Sequence, residues 1–168
     1  MDPGDEIVTI VDEGNRVVGS ALRREMRTRR LPHRATYILV FNSGGELFVQ
    51  KRTRIKDVFP GYYDVAAGGV VLAGEGYMEG AVRELAEEMG IRGTPLTGLF
   101  EFYYEDERSC VWGAAFSCVY DGDIVLQEEE VESGAFMPIP DVLREIETKL
   151  YTPDGTYVIR RCLDELPT

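Results

Sequence analysis

Residues 69–91 read Gly-Val-Val-Leu-Ala-Gly-Glu-Gly-Tyr-Met-Glu-Gly-Ala-Val-Arg-Glu-Leu-Ala-Glu-Glu-Met-Gly-Ile. Three glycines in the first eight residues mark a loop. The spacing that follows predicts a helix from Tyr77 to Met89, stopped by Gly90 as a left-handed C-cap. Glu84, Glu87 and Glu88 stand at i, i+3 and i+4 and therefore share a helix face. Met78, Ala81, Val82, Leu85 and Met89 form the apolar stripe expected to bury the helix, with the acidic face turned well away from it. Carboxylates this close repel one another by a few tenths of a kcal/mol per pair. A hard cation would turn that cost into a site, because Mg²⁺ takes carboxylate oxygens and keeps waters for substrate phosphates. The bland alternative is a solvated acidic helix, the usual fate of a charge run. It leaves the flanking glycines and Arg83 unexplained.

The segment resembles the signature of the Nudix hydrolases, G-x5-E-x7-R-E-U-x-E-E-x-G-U with U apolar. Gly69, Glu75, Arg83, Glu84, Leu85, Glu87, Glu88, Gly90 and Ile91 fill its constrained positions. Such a coincidence is expected on the order of once in 10⁹ starting points at average residue usage. The resemblance covers most of residues 36–150 and is most specific at 69–91. It implies an α/β fold, the Nudix α/β/α sandwich with a mixed β-sheet.

At 168 residues and 44% apolar content the chain is read as one domain with one sizeable core. Residues 1–35 are taken as an N-terminal extension packed on it. The chain contains no run of about 18 apolar residues that would span a membrane. Its acidic start lacks the plan of a signal peptide. The three cysteines, Cys110, Cys118 and Cys162, have no metal-like spacing. Cys110 and Cys118 lie in an apolar run and are expected reduced, near or in the core. A cytoplasmic protein fits these features best.

The net charge of −12 speaks against broad nucleic-acid binding. Residues 23–56 nevertheless hold ten Lys/Arg against Glu25 and Glu46, a local sum of +8. This stretch is either a solvated face or an attractive rim for an anionic substrate.

Along the chain, Ile7–Val11 and Val17–Gly19 read as strands and Leu22–Arg30 as a short helix. Thr36–Asn42 and Glu46–Arg52 flank Ser43-Gly44-Gly45 as a hairpin. Phe59-Pro60-Gly61 is a turn. Leu96–Tyr104, Cys110–Tyr120 and Gly134–Met137 are strands. Ile139–Thr148 and Asp154–Glu165 are closing helices, the last introduced by Pro153.

By resemblance, Glu84, Glu87 and Glu88 bind Mg²⁺ or Mn²⁺. Glu75 is a supporting or outer metal group, and Arg83 orients the catalytic glutamates. The general base is Glu87 or Glu88, or a distal carboxylate from Glu128-Glu129-Glu130, of which Glu130 is favoured. Arg34, Arg52, Arg54 and Lys56 are candidate phosphate contacts, and Gly69 lets the backbone approach the substrate closely. Tyr62, Tyr63, Tyr103, Tyr104, Phe59 and Trp112 are able to stack a base, although aromatics in strands are more often core.

A second likeness lies upstream. His33-Arg34-Ala35, Val49–Thr53, Lys56-Asp57, Phe59-Pro60-Gly61 and Val111–Phe116 look like the isopentenyl-diphosphate isomerase branch of the same superfamily. Those isomerases use a cysteine just after the Pro-Gly turn and a histidine-rich metal site. Here Gly68 stands about where the thiol would be, and His33 is the single histidine. His33 alone reads as a structural hydrogen-bonding residue.

The leading expectation is a Mg²⁺-dependent pyrophosphohydrolase of nucleoside di- and triphosphates that releases nucleoside monophosphate. Its substrate is a small-molecule phosphoanhydride. Alternatives are a nucleotide-sugar or ADP-ribose-type hydrolase, an isopentenyl-diphosphate isomerase, and a non-catalytic nucleotide-binding module. ADP-ribose hydrolases usually place a proline where this chain has Glu105 or Asp106, and a non-catalytic module would have lost a signature carboxylate. Base, sugar, leaving group and oligomeric state stay unassigned at this level.

Overall fold

The computed structural model describes residues 2–165. A short 3-10 turn (Pro3–Asp5) leads into β1 (Ile7–Val11), β2 (Val17–Leu22), α1 (Arg23–Arg29) and β3 (His33–Phe41). Next come β4 (Leu47–Arg52), β5 (Tyr63–Asp64) and α2 (Tyr77–Met89). The chain closes through β6 (Thr97–Glu105), β7 (Cys110–Val119), β8 (Val131–Met137), α3 (Ile139–Thr148) and α4 (Pro153–Asp164). No described helix is long and apolar enough to cross a membrane.

Strand alternation builds the layers. In β3, Tyr37 and Leu39 join a cluster with Val142 of α3 and with Val158 and Ile159 of α4. Their neighbours Ile38 and Val40 join Ala81, Leu85 and Met89 of α2 instead. In β7, Ala115 belongs to the first cluster, while Ala114, Phe116 and Cys118 belong to the second. Side chains of period two thus feed helices on both faces of one sheet, which is the expected α/β/α sandwich. The sheet is mixed: β3 and β7 run parallel from His33↔Val111 to Phe41↔Val119, and the other named strand pairs are antiparallel. Cys110, Cys118 and Cys162 are buried free thiols.

The expected hairpin is only half right. Ser43–Gly45 does reverse the chain, but the β3/β4 register goes no further than Phe41↔Leu47. Segment 64–71 wedges between the two strands. Asp64 lies opposite Gln50 of β4, then Ala67 opposite Ile38 and Val70 opposite Ala35 of β3. Thr36 N–H donates to Gly69 O at 2.9 Å and Ile38 N–H to Ala67 O at 2.7 Å. Backbone groups that would have bonded β4 are therefore satisfied by the wedge. Gly68 makes the fit sterically feasible. Its φ is +134°, and a Cβ there would lie 2.1 Å from Thr36 O.

The apolar stripe assigned to α2 also requires correction. The helix has the expected bounds, and Gly90 caps it at φ +67°. Ala81, Leu85 and Met89 are buried, but Met78 and Val82 are 45% and 51% exposed. Glu88, by contrast, is 4% exposed. The acidic face therefore adjoins the buried one instead of turning away from it. Positions 81, 85 and 88 fall on neighbouring lines of the helix, and Glu88 is drawn inward by the Gly68 N–H, which donates to its Oε2 at 3.2 Å.

This rotation makes a stability prediction. Leu85→Ala or Met89→Ala is expected to cost about 2–5 kcal/mol in denaturant unfolding. Met78→Ala and Val82→Ala should stay within about 0.5 kcal/mol. Equal losses at all four positions would contradict the observed burial.

Candidate active site

The three signature carboxylates of α2 form a gradient from interior to solvent. Glu88 is fully buried, the Glu84 side chain is 14% exposed, and that of Glu87 is 50% exposed. Burial, followed by repulsion from Glu84, pushes Glu88 up to about 8. Burial also raises Glu84, against the pull of Arg83. Gly69 is what lets Glu84 sit so close to the loop, since a Cβ on Gly69 would lie 2.8 Å from Glu84 Oε1.

Arg83 organises the exposed side of this group. Its Nε and Nη2 donate to the two oxygens of Glu75, both at 2.8 Å. Its Nη1 donates to Glu84 Oε1 at 2.9 Å and to Glu87 Oε2 at 3.2 Å. Glu75 Oε1 also accepts from Leu72 N–H at 2.9 Å. Although burial acts the other way, these bonds hold the Glu75 carboxyl below its usual range. The Glu75 bonds first of all raise the Arg83 guanidinium above its ordinary value. Glu75 is thus occupied in fixing Arg83, and Arg83 in fixing Glu84 and Glu87.

No three His, Cys, Asp or Glu side chains converge as a ready-made cage among the described residues. Like charges do not gather unaided, and Arg83 holds two of them. The donor set still fits a hard divalent ion. Glu88 is a buried carboxylate, Glu84 a largely buried neighbour, Glu87 stands beside them, and all are oxygen donors of the kind Mg²⁺ and Mn²⁺ take.

Across Gly68 and Gly69 from α2 lies a cavity of about 80 Å³. Its lining includes the wedge residues Asp64 and Ala66–Val70, Ala35–Tyr37 of β3 and Arg52 of β4. Arg23, Arg27, Arg52 and Lys56 contribute its cations. Arg23 and Arg27 share one face of α1 and both donate to Asp57 Oδ2 at 3.1 Å. Although burial acts the other way, these two arginines hold Asp57 well below the carboxylate range. Lys56 donates to Glu130, and burial followed by the nearby Arg52 lowers its ammonium to about 8. His33 is buried, with Nδ1 2.9 Å from Leu31 O. Burial and then Arg27 depress it to about 4, so it is neutral at physiological pH, in keeping with a structural role.

The basic candidates separate into two groups. Arg52 and Lys56 line the cavity, and Arg52 also donates to Val58 O at 3.0 Å. Arg34 lies elsewhere: it donates to Asn15 Oδ1 at 2.9 Å and its guanidinium lies 5.0 Å from the Tyr77 ring centre. Arg54 is exposed and does not line the cavity. Phe59 and Tyr104 line the cavity, whereas Trp112 packs on Tyr103 with ring centres 5.0 Å apart. Individual reading of the sequence passed over Arg23, Arg27, Tyr37, Asp64 and Asp154, all cavity residues. The i,i+4 spacing of the two arginines inside the basic stretch was the available signal.

Comparison with known proteins gives a consistent assignment. The model of the NUDIX domain matches residues 31–160. An uncharacterized Nudix hydrolase of Yersinia pestis is 46% identical over 150 residues, covering 89% of this chain and 81% of its own length. One from Pseudomonas aeruginosa is 45% identical over 159 residues, covering 95% of this chain and 94% of its own. The crystal structure of a Deinococcus radiodurans protein superposes with a TM-score of 0.80 at 26% identity, covering 94% of this chain and 99% of that one.

Two predictions arise from this geometry. Arg83→Lys replaces a planar fork by a point charge and cannot keep both Glu75 and the helix glutamates. Its activity should fall about 10–100-fold, as for outer partners of metal ligands, with a melting temperature close to the parent's. The second concerns Glu88, whose folded value of about 8 lies above its ordinary 4.5. Its stabilising contribution is complete below the ordinary value and lost as pH rises through the folded one. Glu88→Gln should therefore melt above the parent in metal-free buffer at pH 8, with the gap closing toward pH 5. A variant melting lower at pH 8 would refute this.

Proposed function

From the premise that this chain belongs to the NUDIX domain family, enzymes acting on phosphoanhydride bonds, we propose that it is a pyrophosphohydrolase of nucleoside di- and triphosphates. The family generally works with divalent ions such as Mg²⁺. The observation that carries the reading is the pair of neighbouring carboxylates, Glu88 buried and Glu84 largely so, set across two glycines from a cavity lined by Arg23, Arg27, Arg52 and Lys56. A diphosphate is the ligand whose charge answers both halves. Its anionic oxygens suit the cations, and its scissile region suits an ion held by glutamates.

In this reading Glu84, Glu87 and Glu88 hold Mg²⁺ or Mn²⁺, with Glu75 acting through Arg83. The ion supplies Lewis-acid polarisation of phosphoryl oxygens and a lowered water pKa. Water attacks phosphorus, the P–O bond to the leaving group breaks, and nucleoside monophosphate departs with phosphate or pyrophosphate. The water's proton passes to a carboxylate: Glu87 or Glu88 on the helix, or Glu130, which Lys56 holds. Arg23, Arg27 and Lys56 draw the anion in and exclude neutral competitors. Residues 1–35 are then an extension of a single domain that supplies two of the cavity's cations.

The likeness of residues 33–61 to the isomerase branch is read as shared scaffold. Gly68 supports the hydrolytic assignment, because a side chain at that position would meet Thr36 O at 2.1 Å and a thiol has no room.

A panel of nucleoside di- and triphosphates, nucleotide sugars, ADP-ribose and isopentenyl diphosphate tests the proposal. Mg²⁺-dependent release of nucleoside monophosphate is expected, falling by at least about 100-fold in Glu87→Gln and Glu88→Gln, beyond the range of outer partners. Undiminished turnover in both variants, or dimethylallyl diphosphate as product, would overturn it.

A further inference from the structure

We propose that Arg27, held in place by Asp57, seats the phosphate that carries the nucleoside, at the boundary between the cavity beside Gly68 and a second, larger one. This deepens the pyrophosphohydrolase reading and rests on it. The second cavity has a volume of about 800 Å³, against about 80 Å³ for the first. It lies between the N-terminal turn, α1, the segment Ile55–Asp57 and the turn at 127–130. Arg23, Arg27 and Lys56 line both cavities.

The cations differ in what their N–H groups already serve. Arg23 donates from Nε and Nη2 to Asp57 at 3.1 and 3.3 Å, and from Nη1 to Glu6 at 3.3 Å. Lys56 is bonded to Glu130. Arg52, in the smaller cavity, gives Nε and Nη2 to Val58 O at 3.2 and 3.0 Å, and its Nη1 stands 3.5 Å from Asp64 Oδ2. Arg27 donates through Nε alone, to Asp57 Oδ2 at 3.1 Å. Neither of its Nη groups has a partner among the described residues, and neither is sealed from solvent.

The Arg27 side chain is only 21% exposed, and Asp57, the carboxylate it bonds, is shared with Arg23. Burial lowers its guanidinium from the ordinary value against the pull of Asp57, and Arg23 lowers it further. It stays charged all the same, as guanidinium groups do. A largely buried cation with a shared counter-ion and an open fork calls for an anion, because buried charges are otherwise costly. Two Nη groups in one plane match two oxygens of one phosphate. Asp57 bonds the opposite side of the guanidinium and turns that fork outward, so it is a positioning residue that touches Arg27 and not the substrate. Because Arg27 borders both cavities, a phosphate on its fork has room on either side. The phosphoanhydride continues through the smaller cavity toward Gly68, Gly69 and the glutamates. The nucleoside, too bulky for about 80 Å³, takes the larger one, where Thr28, Gln127 and Glu129 offer hydrogen bonds to its hydroxyls.

The test reads binding without turnover, by calorimetric titration of AMP into the full chain in metal-free buffer. The parent should bind AMP saturably. Arg27→Gln is expected to weaken AMP about tenfold or more, as for a charged hydrogen-bonded pair. Arg27→Lys, which keeps the charge and loses the fork, should fall nearly as far. Arg29→Gln, on the same helix but lining neither cavity, should bind as the parent does. Asp57→Asn is expected to raise KM for ADP about threefold or more with kcat within about twofold, the mark of lost uniform binding. In the double variant it should add little to Arg27→Gln, since the two act as one unit. No AMP binding by the parent, or full affinity in Arg27→Lys, overturns the inference. So does an AMP affinity unchanged in Arg27→Gln while KM for ADP rises, which would put the distal phosphate on the fork. Independent losses at Asp57 and Arg27 overturn the positioning role. If no nucleotide is hydrolysed, the hydrolase reading fails instead, and the AMP titration still decides the seat. Melting temperatures check that each variant folds; should Arg27→Gln not fold, Arg27→Lys decides.

Discussion

The passage of Gly68 and Gly69 between β3 and α2 is the constraint on which the site depends. On one side, Gly68 presses so close to Thr36 O that no side chain fits. On the other, Gly69 leaves room only for the Glu84 carboxylate, while the Gly68 N–H meets Glu88. A bulkier residue at either position would push the wedge away from β3 or the helix away from the wedge. The wedge lines the cavity, so displacing it would reshape the cavity, and moving the helix out would disperse the glutamates. Two small residues therefore set the distance between the chemistry on α2 and the pocket beyond it.

That arrangement is electrostatically costly, and the protein offsets the cost locally. Glu88 lies buried and Glu84 largely so in a chain whose net charge is already −12. Arg83 compensates Glu84 directly, but Glu88 receives only a backbone N–H and the field of Lys56 and Arg52. Lys56 in turn is held by Glu130, and Arg23 and Arg27 by Asp57. Arg83, Lys56, Arg23 and Arg27 are each pinned by a carboxylate, so the group keeps its shape, while Glu88 has no opposite charge bonded to it. Perturbed ionisation of this sort concentrates where function, not stability, sets the residue.

How much was legible in the sequence follows from the range of each interaction. The bounds of α2 and its Gly90 cap were readable because capping and helical periodicity act within one turn or two. The strands and closing helices were readable for the same reason. The rotation of α2 was not. Met78 and Val82 are apolar and match the helical period, yet Glu88 takes the buried position because a distant N–H and a site, not hydrophobicity, decide it. The splitting of β3 from β4 was equally hidden, since a turn signal at Ser43–Gly45 carries no information about a segment twenty residues later that inserts between the strands. Arg34 and Arg54 were grouped with Arg52 by proximity in sequence. Alternation sends Arg34 to the other face of β3, where Asn15 takes it.

The parts of the cavity come from elements that share little with α2. Tyr37 lies on β3, Asp64 on β5, Asp154 on α4 and Arg23 and Arg27 on α1, whereas the glutamates belong to one helix and its loop. Changes at well-separated sites without shared partners act nearly independently. Substitutions along α4 can therefore alter what the cavity accepts while Arg83, Glu75 and the helix carboxylates keep their bonds, whereas Arg23 on α1 lies close enough to Glu84 to interact with it. The wedge, with β3 beside it, belongs to both halves. For that reason the glycines at 68 and 69, which line the cavity and carry no functional group, leave no room for a side chain beside Thr36 O and the Glu84 carboxylate.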